Sequence, residues 1–292
     1  MVNWMMPWQV AEWLCCGLLA AALAFRVSRR PVLVRLVPFP RELGTVLGLF
    51  GLWQLAGRLS VMKVDGAIAR GTWIWDAERA IHLPSEAGLQ HLVMPHQWLV
   101  EAMNLYYASM HFTVMIVFLI WLFLRHREDY PRIRATLALT TAAALAVQLV
   151  PVAPPRMIPK AHLVDTALLY GQSVYGQINP DSPDQLSAMP SVHVAWAVLV
   201  GVCVWRLSGS RWRWVGPAHT IATIVVVTAT ANHYWGDEIV ATALVLASVG
   251  LQAAARRTAA SLRTLAARRK DIRRPQAEPL AAAQSGTKLP IR

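Results

Sequence analysis

Charge is unevenly spread along the chain: long runs almost free of it alternate with short stretches that concentrate it. Seven apolar windows lie near residues 8–25, 42–62, 104–124, 133–153, 191–208, 215–232 and 236–255. A helix rises about 1.5 Å per residue, so about twenty apolar residues cover a hydrocarbon core roughly 30 Å thick. The windows are rich in Ala, Leu, Val and Trp and lack the period-two alternation of barrel strands. The pattern predicts an all-α protein, a polytopic transmembrane helical bundle. Between the second and third windows, residues 63–103 mix Trp73, Trp75, Ile81 and Leu83 with Asp76, Glu78, Arg79 and Glu86. That mixture predicts an amphipathic helix at the membrane surface with a solvated charged face, because aromatic rings favour the headgroup level. On this reading Arg70, Arg79 and Glu86 take no part in a site.

Composition agrees with the pattern. The 292 residues are 55% hydrophobic and 15% charged, with mean hydropathy +0.39; soluble domains carry nearer a quarter charged. The net charge of +12 would suit nucleic acid, but its placement points elsewhere. Segments 26–42, 125–134, 206–213 and 256–292 hold 22 of the 28 Lys/Arg and five of the 16 acids. These are alternate connections, so the positive-inside rule makes them cytoplasmic, with the C-terminus inside and loops 63–103 and 156–190 external. No nucleic-acid partner is expected. The first window has no basic n-region and is followed by Arg26, Arg29 and Arg30, which makes it a retained helix. Cys15, Cys16 and Cys203 fall inside predicted spans and form no disulfide or metal pattern. The basic tail 256–292, ending in low complexity, is expected to be disordered, with its charge setting topology.

The polar side chains that remain in apolar surroundings carry the candidate chemistry. Pro190 and Ser191 precede an apolar helix that begins Val192-His193, and helix-start residues there leave N–H groups that attract an anion. His233 and Asp237 are four apart and share a helical face, so Asp237 can accept the Nδ1 proton and leave the other ring nitrogen as a base or nucleophile. Both motifs fall on the external side. Arg156 follows the Pro-rich sequence Pro151-Val152-Ala153-Pro154-Pro155, where it either reaches lipid phosphates or grips a substrate phosphate. His111 lies roughly 10 Å inward from the external end of the third span, a position where an ionisable group marks function or is satisfied by a neighbouring helix. A zinc site built on the histidines is the chemical rival, ranked lower because no metal-binding signature such as His-Glu-x-x-His occurs.

Pro190-Ser191-Val192-His193 resembles the second signature of the type 2 phosphatidic acid phosphatase superfamily, His233-x-x-x-Asp237 its third, and Arg156 the arginine of its first. The wider stretches 151–156, 188–196 and 229–235 are similar to the bacterial branch grouped with inositol-phosphorylceramide synthases. The resemblance covers roughly residues 42–255. It implies a six-helix phosphatase-like core of residues 42–255, with residues 1–41 adding an extra N-terminal span and its basic loop. It also implies His193, His233 and Asp237 as catalytic residues, with Arg156 and Ser191 binding substrate; His111 is added to the substrate-binding set on its membrane depth alone. In the implied chemistry His233 attacks phosphorus to give a phosphohistidine, His193 serves the leaving group, and water or an alcohol such as inositol completes the reaction. A membrane lipid phosphate or phosphodiester is the expected substrate, an alcohol acceptor the expected partner, and no cofactor or metal is expected. Two cations of the common phosphatases are replaced, by Leu149 and Val227, which fits the synthase-like branch better than a generic phosphatase. The rival from another class is a lipid-binding or lipid-translocating protein without catalysis; the presence of His193, His233 and Asp237 speaks against it.

Overall fold

The structure, a computed structural model, describes residues 7–28, 30–60, 65–173 and 183–272; the side chains of residues 53, 56–60, 183–184 and 266–272 lie outside that description. Arg29 and Tyr175, and the side chain of Arg58, are therefore outside it. Eleven α-helices occur among the described residues: α1 (Trp8–Val27), α2 (Pro31–Leu36), α3 (Pro38–Ser60), α4 (Ala67–Ala80), α5 (Glu86–Val93), α6 (Gln97–Arg125), α7 (Tyr130–Gln148), α8 (Thr166–Leu169), α9 (Val192–Leu207), α10 (Val215–Ala229) and α11 (Trp235–Ile272). No strand occurs there; Val152 and Ser187 form an isolated parallel bridge. The expected all-α class holds. The chain divides into two compact units, 1–248 and 249–292, and every site residue discussed below lies in the first.

A helix lies over each of the seven apolar windows. Three of them, Trp8–Val27, Gln97–Arg125 and Trp235–Leu265, are long and apolar enough to cross a membrane, and Val192–Leu207 is a shorter apolar helix. The expectation of seven full spans is thus met by three helices on length and composition. The 16 residues of α9 and the 15 of α10 rise only about 24 Å and 22 Å.

Two stretches differ from the sequence reading. The last apolar helix was expected to end near residue 255, yet α11 continues to Ile272. Twelve of the 17 residues 256–272 are Ala, Leu, Arg or Lys, all strong helix formers, and no Gly or Pro stops the turn. In the 63–103 stretch the chain forms α4 and α5 and the start of α6 rather than one amphipathic helix. Two of its acidic side chains turn inward, with Glu78 3% and Glu86 0% exposed, while Asp76 stays at the surface.

Capping follows residue type. Ser85 accepts from the Gly88 N–H at the start of α5, Asp165 from Leu168 at the start of α8, and Ser191 from Val194 at the start of α9, each offsetting a donor that the first turn leaves unpaired. Apolar packing then assembles the bundle. Tyr107 of α6, Val194 and Ala195 of α9, Val226 and Val227 of α10, and Ala241 and Val245 of α11 form one buried cluster. A second joins Ile74 and Trp75 of α4 to Val152, Ala153, Ile158, Ala188 and Tyr234, placing α4 against the ends of α7, α9 and α10.

α9 and α10 meet backbone to backbone. A Cβ on Gly201 would stand 2.2 Å from Thr220 Oγ1, and one on Gly216 would stand 2.8 Å from the Gly201 carbonyl oxygen. The gap is closed by Thr220, whose hydroxyl donates to the Ala197 carbonyl at 2.8 Å. Small residues at a helix crossing are how apolar helices associate where no water drives them together. Gly216→Val is expected to destabilise the protein by about 1–3 kcal/mol, the usual cost of overpacking. Gly209→Ala, where an added Cβ meets nothing within 4 Å, should be neutral; thermal unfolding of both variants in detergent measures the difference.

Candidate active site

The site is assembled where three chain connections are stitched together. After α7 the chain is extended, and Val152 exchanges main-chain hydrogen bonds with the segment before α9: its N–H donates to Leu186 O at 2.7 Å and its carbonyl accepts from Ala188 N at 3.2 Å. Gln148, at the end of α7, adds side-chain bonds to the carbonyls of Ser187 and Pro190. The turn between α10 and α11 joins this seam from the other side. Ala231 there adopts φ 54°, a left-handed conformation rarely taken by a residue with a side chain. Its carbonyl accepts from the Arg156 N–H at 3.2 Å, and the following N–H groups of Asn232 and His233 turn back onto Val227 O.

His233 therefore enters the site with a fixed backbone, and its ring is fixed as well. Nδ1 lies 2.7 Å from Ala188 O and 3.3 Å from Asp237 Oδ2. A carbonyl oxygen can only accept, so Nδ1 carries the proton and Nε2 presents its lone pair. That Nε2 is buried without a hydrogen-bond partner among the described residues. The four-residue spacing brings Asp237 to His233 as the sequence implied, but the shorter contact belongs to the Ala188 carbonyl. Asp237 Oδ2 also accepts the Tyr234 N–H at 3.0 Å, so this fully buried carboxylate caps the first turn of α11 while facing the imidazole.

His193, in the first turn of α9, presents a second buried Nε2 without a hydrogen-bond partner among the described residues. Its ring stacks on Tyr107, with centroids 4.4 Å apart and 18° between planes, and lies 5.9 Å from the His233 centroid. His111 completes the row, 4.1 Å from His193, with Nδ1 3.2 Å from Tyr107 O. Ser191 Oγ caps α9, and the Ser191 N–H reaches Asp237 O at 3.4 Å. Among the described residues no group of His, Cys, Asp and Glu is arranged to hold a metal ion.

Arg156 stands in a 3-10 turn, Pro155–Met157, with its side chain 4% exposed. The guanidinium donates to Asn232 Oδ1 at 2.6 Å and Gln185 Oε1 at 3.3 Å, and its Nε pairs with Asp165 at 3.1 Å. Asn232 is itself oriented by Thr230 Oγ1 at 2.7 Å. All six residues singled out in the sequence gather here: Arg156 is bonded to Asn232, the residue before His233, Ser191 and Asp237 join the helix starts, and His111 backs His193.

Sequence reasoning missed Tyr107, Asn232, Asp165, Gln185 and Glu78. Tyr107 stands four residues before His111 and Asn232 adjoins His233, so helical spacing and adjacency were available as signals. Asp165, Gln185 and Glu78 reach the site by tertiary placement alone. Glu78 Oε1 accepts from Gly236 N at 2.6 Å, holding the turn that carries Asp237. The Trp235 indole adds a bond to Pro84 O at 2.9 Å.

Fold and site together define a helical, multi-pass membrane protein in which two histidines with open ring nitrogens and a buried arginine meet near one pocket. The chain belongs to the PAP2 superfamily, whose sequence pattern matches residues 72–251. That membership indicates a phosphatase-type enzyme acting in association with a membrane. No curated protein and no solved structure matches the chain.

Burial and a hydrogen bond with Glu86 push the Glu78 carboxyl from its ordinary 4.5 up to about 9, against the lowering effect of the Gly236 N–H. A carboxyl held protonated in the fold contributes stability that is fully present below about pH 4.5 and is lost as pH rises toward 9. Glu78→Gln keeps the acceptor for Gly236 and removes this titration. The variant should lose less thermal stability than the parent between pH 5 and pH 9; an equal or steeper loss would contradict the assignment.

Proposed function

We propose that this protein is an integral membrane phosphotransferase or phosphatase that acts on a lipid phosphate or phosphodiester through a phosphohistidine at His233. The observation that carries the reading is the state of the His233 ring: Nδ1 is held by two acceptors and Nε2 is left open within a buried site. In the first step Nε2 attacks phosphorus, a P–N bond forms, and the P–O bond to the leaving group breaks. The Ala188 carbonyl and Asp237 stabilise the imidazolium that results. His193, protonated at Nε2, gives its proton to the leaving alkoxide. In the second step the deprotonated His193 takes a proton from water or an alcohol, the acceptor oxygen attacks phosphorus, and the P–N bond breaks. Arg156 holds phosphoryl oxygens throughout, with N–H groups at the start of α9 in support, and such preorganised charge is where phosphoryl transfer gains most.

The wider placement belongs to the same proposal. Residues 42–255 are read as a six-helix core preceded by one extra span, and the site as facing the extracytoplasmic side, with the C-terminus cytoplasmic, because the basic connections alternate with those that carry the site. The motif context of residues 151–156, 188–196 and 229–235 favours the branch similar to inositol-phosphorylceramide synthases, and so transfer to an alcohol over release of phosphate.

Two measurements test this. Labelling with a radioactive phospholipid should trap an acid-labile, base-stable adduct in the parent and none in His233→Ala. His193→Ala should slow turnover about 10²–10⁴-fold, and least for a substrate with a good leaving group such as a nitrophenyl ester. An adduct in His233→Ala would remove that residue as nucleophile. For orientation, in a cysteine-free background in intact cells, Leu168→Cys should react with an impermeant maleimide and Gly209→Cys should not; the reverse pattern would invert the topology.

A further inference from the structure

Arg156 already carries a fixed counterion. Its Nε lies 3.1 Å from Asp165 Oδ2, and the pocket beside it is lined by Asn104, Tyr107, Gln172, Ser173 and Asn232 as well as by this pair and Ala167. Arg156 and Asp165 are the charged side chains in that lining among the described residues. Residues 174–182, which follow Ser173, contain Asp181 and no Lys or Arg. Apart from the transferable proton on His193, the positive charge that this lining offers an incoming phosphate is therefore one guanidinium, partly neutralised.

Asp165 is not free to swing aside. Its Oδ1 caps α8 by accepting from Leu168 N at 2.9 Å. On one flank, the Val164 N–H donates to Gln90 Oε1 at 2.8 Å and the Val164 carbonyl accepts from Gln90 Nε2 at 2.9 Å. On the other flank, Thr166 Oγ1 donates to Asn104 Oδ1 at 2.8 Å. Gln90, Asn104 and Thr166 are all buried, so the residues on either side of Asp165 are clamped to amides of α5 and α6. A carboxylate held this way remains beside Arg156 when a substrate arrives.

We propose, resting on the phosphoryl-transfer reading above, that Asp165 is a specificity-determining residue that selects singly charged phosphodiester lipids over doubly charged phosphomonoesters. A phosphodiester brings one negative charge, which one guanidinium can balance while Asp165 stays in place. A phosphomonoester near neutral pH brings close to two, and the second meets a carboxylate clamped beside the buried Arg156 side chain, where like charges repel. Rejection built from a repulsive element discriminates between ligands that make the same favourable contacts. The reaction that consumes such a substrate moves a substituted phosphoryl group from one alcohol to another.

The test compares two ligands that differ by one charge: short-chain phosphatidate and its methyl ester, phosphatidylmethanol. Their affinities for the full-length protein in detergent are measured by ligand-dependent thermal shift. The parent should bind the methyl ester at least about tenfold more tightly, the effect of one repulsive contact at intermediate dielectric. Asp165→Asn keeps the Oδ1 acceptor that caps α8 and should bring the ratio to within about threefold by tightening the monoester. Gln185→Ala, which alters an Arg156 partner without changing charge, should leave the ratio at the parent value and guards against a purely structural effect. Equal or tighter parent binding of phosphatidate, no binding of either ligand, or a change in Asp165→Asn that is the same for both would overturn the proposal. Adduct formation at His233 with the same lipids reports separately: selectivity without an adduct would count against the catalytic reading and leave the role of Asp165 standing.

Discussion

The hydrogen bond between the His233 ring and the Ala188 carbonyl is the contact on which the site depends. It is 2.7 Å long and spans forty-five positions of sequence, and it selects the tautomer by donor–acceptor chemistry alone. For it to exist, the segment before α9 must lie beside the turn after α10. That placement is produced by the bonds of Val152 with Leu186 and Ala188, by the Gln148 amide, and by the contact of Arg156 N with Ala231 O. The Pro-rich end of α7 thus positions Arg156 and also supports the carbonyl that orients the histidine.

Around this contact the protein buries an unusual number of acids. Glu78, Glu86, Asp237 and Glu238 are each less than 9% exposed, and each has a partner suited to its place. Glu86 pairs with Arg79 at 2.8 Å, Glu238 accepts from Thr228 at 2.7 Å, Asp237 faces His233, and Glu78 takes the Gly236 N–H. Burying a carboxylate is costly unless it is paired, hydrogen-bonded or protonated. The arrangement converts an outwardly polar surface segment, α4 and α5, into a wall against which the start of α11 is held.

Much of this was legible in the sequence because it depends on periodicity and adjacency. Apolar runs mark helices whether or not the rest of the fold is known, and the four-residue step from His233 to Asp237 places them together in any helical turn. The cap at Ser191 is local too. What could not be read depends on distance along the chain. Glu78 and Glu86 look solvated in sequence, because their burial comes from tertiary packing such as that of α4 on Val152, Ala153 and Tyr234. Asp165 lies in a loop without periodicity, and its importance arises because Gln90 and Asn104, more than sixty residues away, hold its neighbours. The helical continuation past residue 255 was open to inspection, because Ala, Leu and Arg favour helix even where the charge pattern suggests a tail.

The glycine contact between α9 and α10 bears on the chemistry in one further way. His193 lies two turns above Gly201 on one helix, and His233 follows the end of the other by four residues. With the two backbones in touch at Gly201 and Gly216, the pair behaves as a rigid gauge, and the 5.9 Å between the imidazole rings is set by a joint well away from either. Room for a bulkier group on phosphorus has to come from α6 or from the Arg156 turn, because the spacing of the two histidines is locked into the frame.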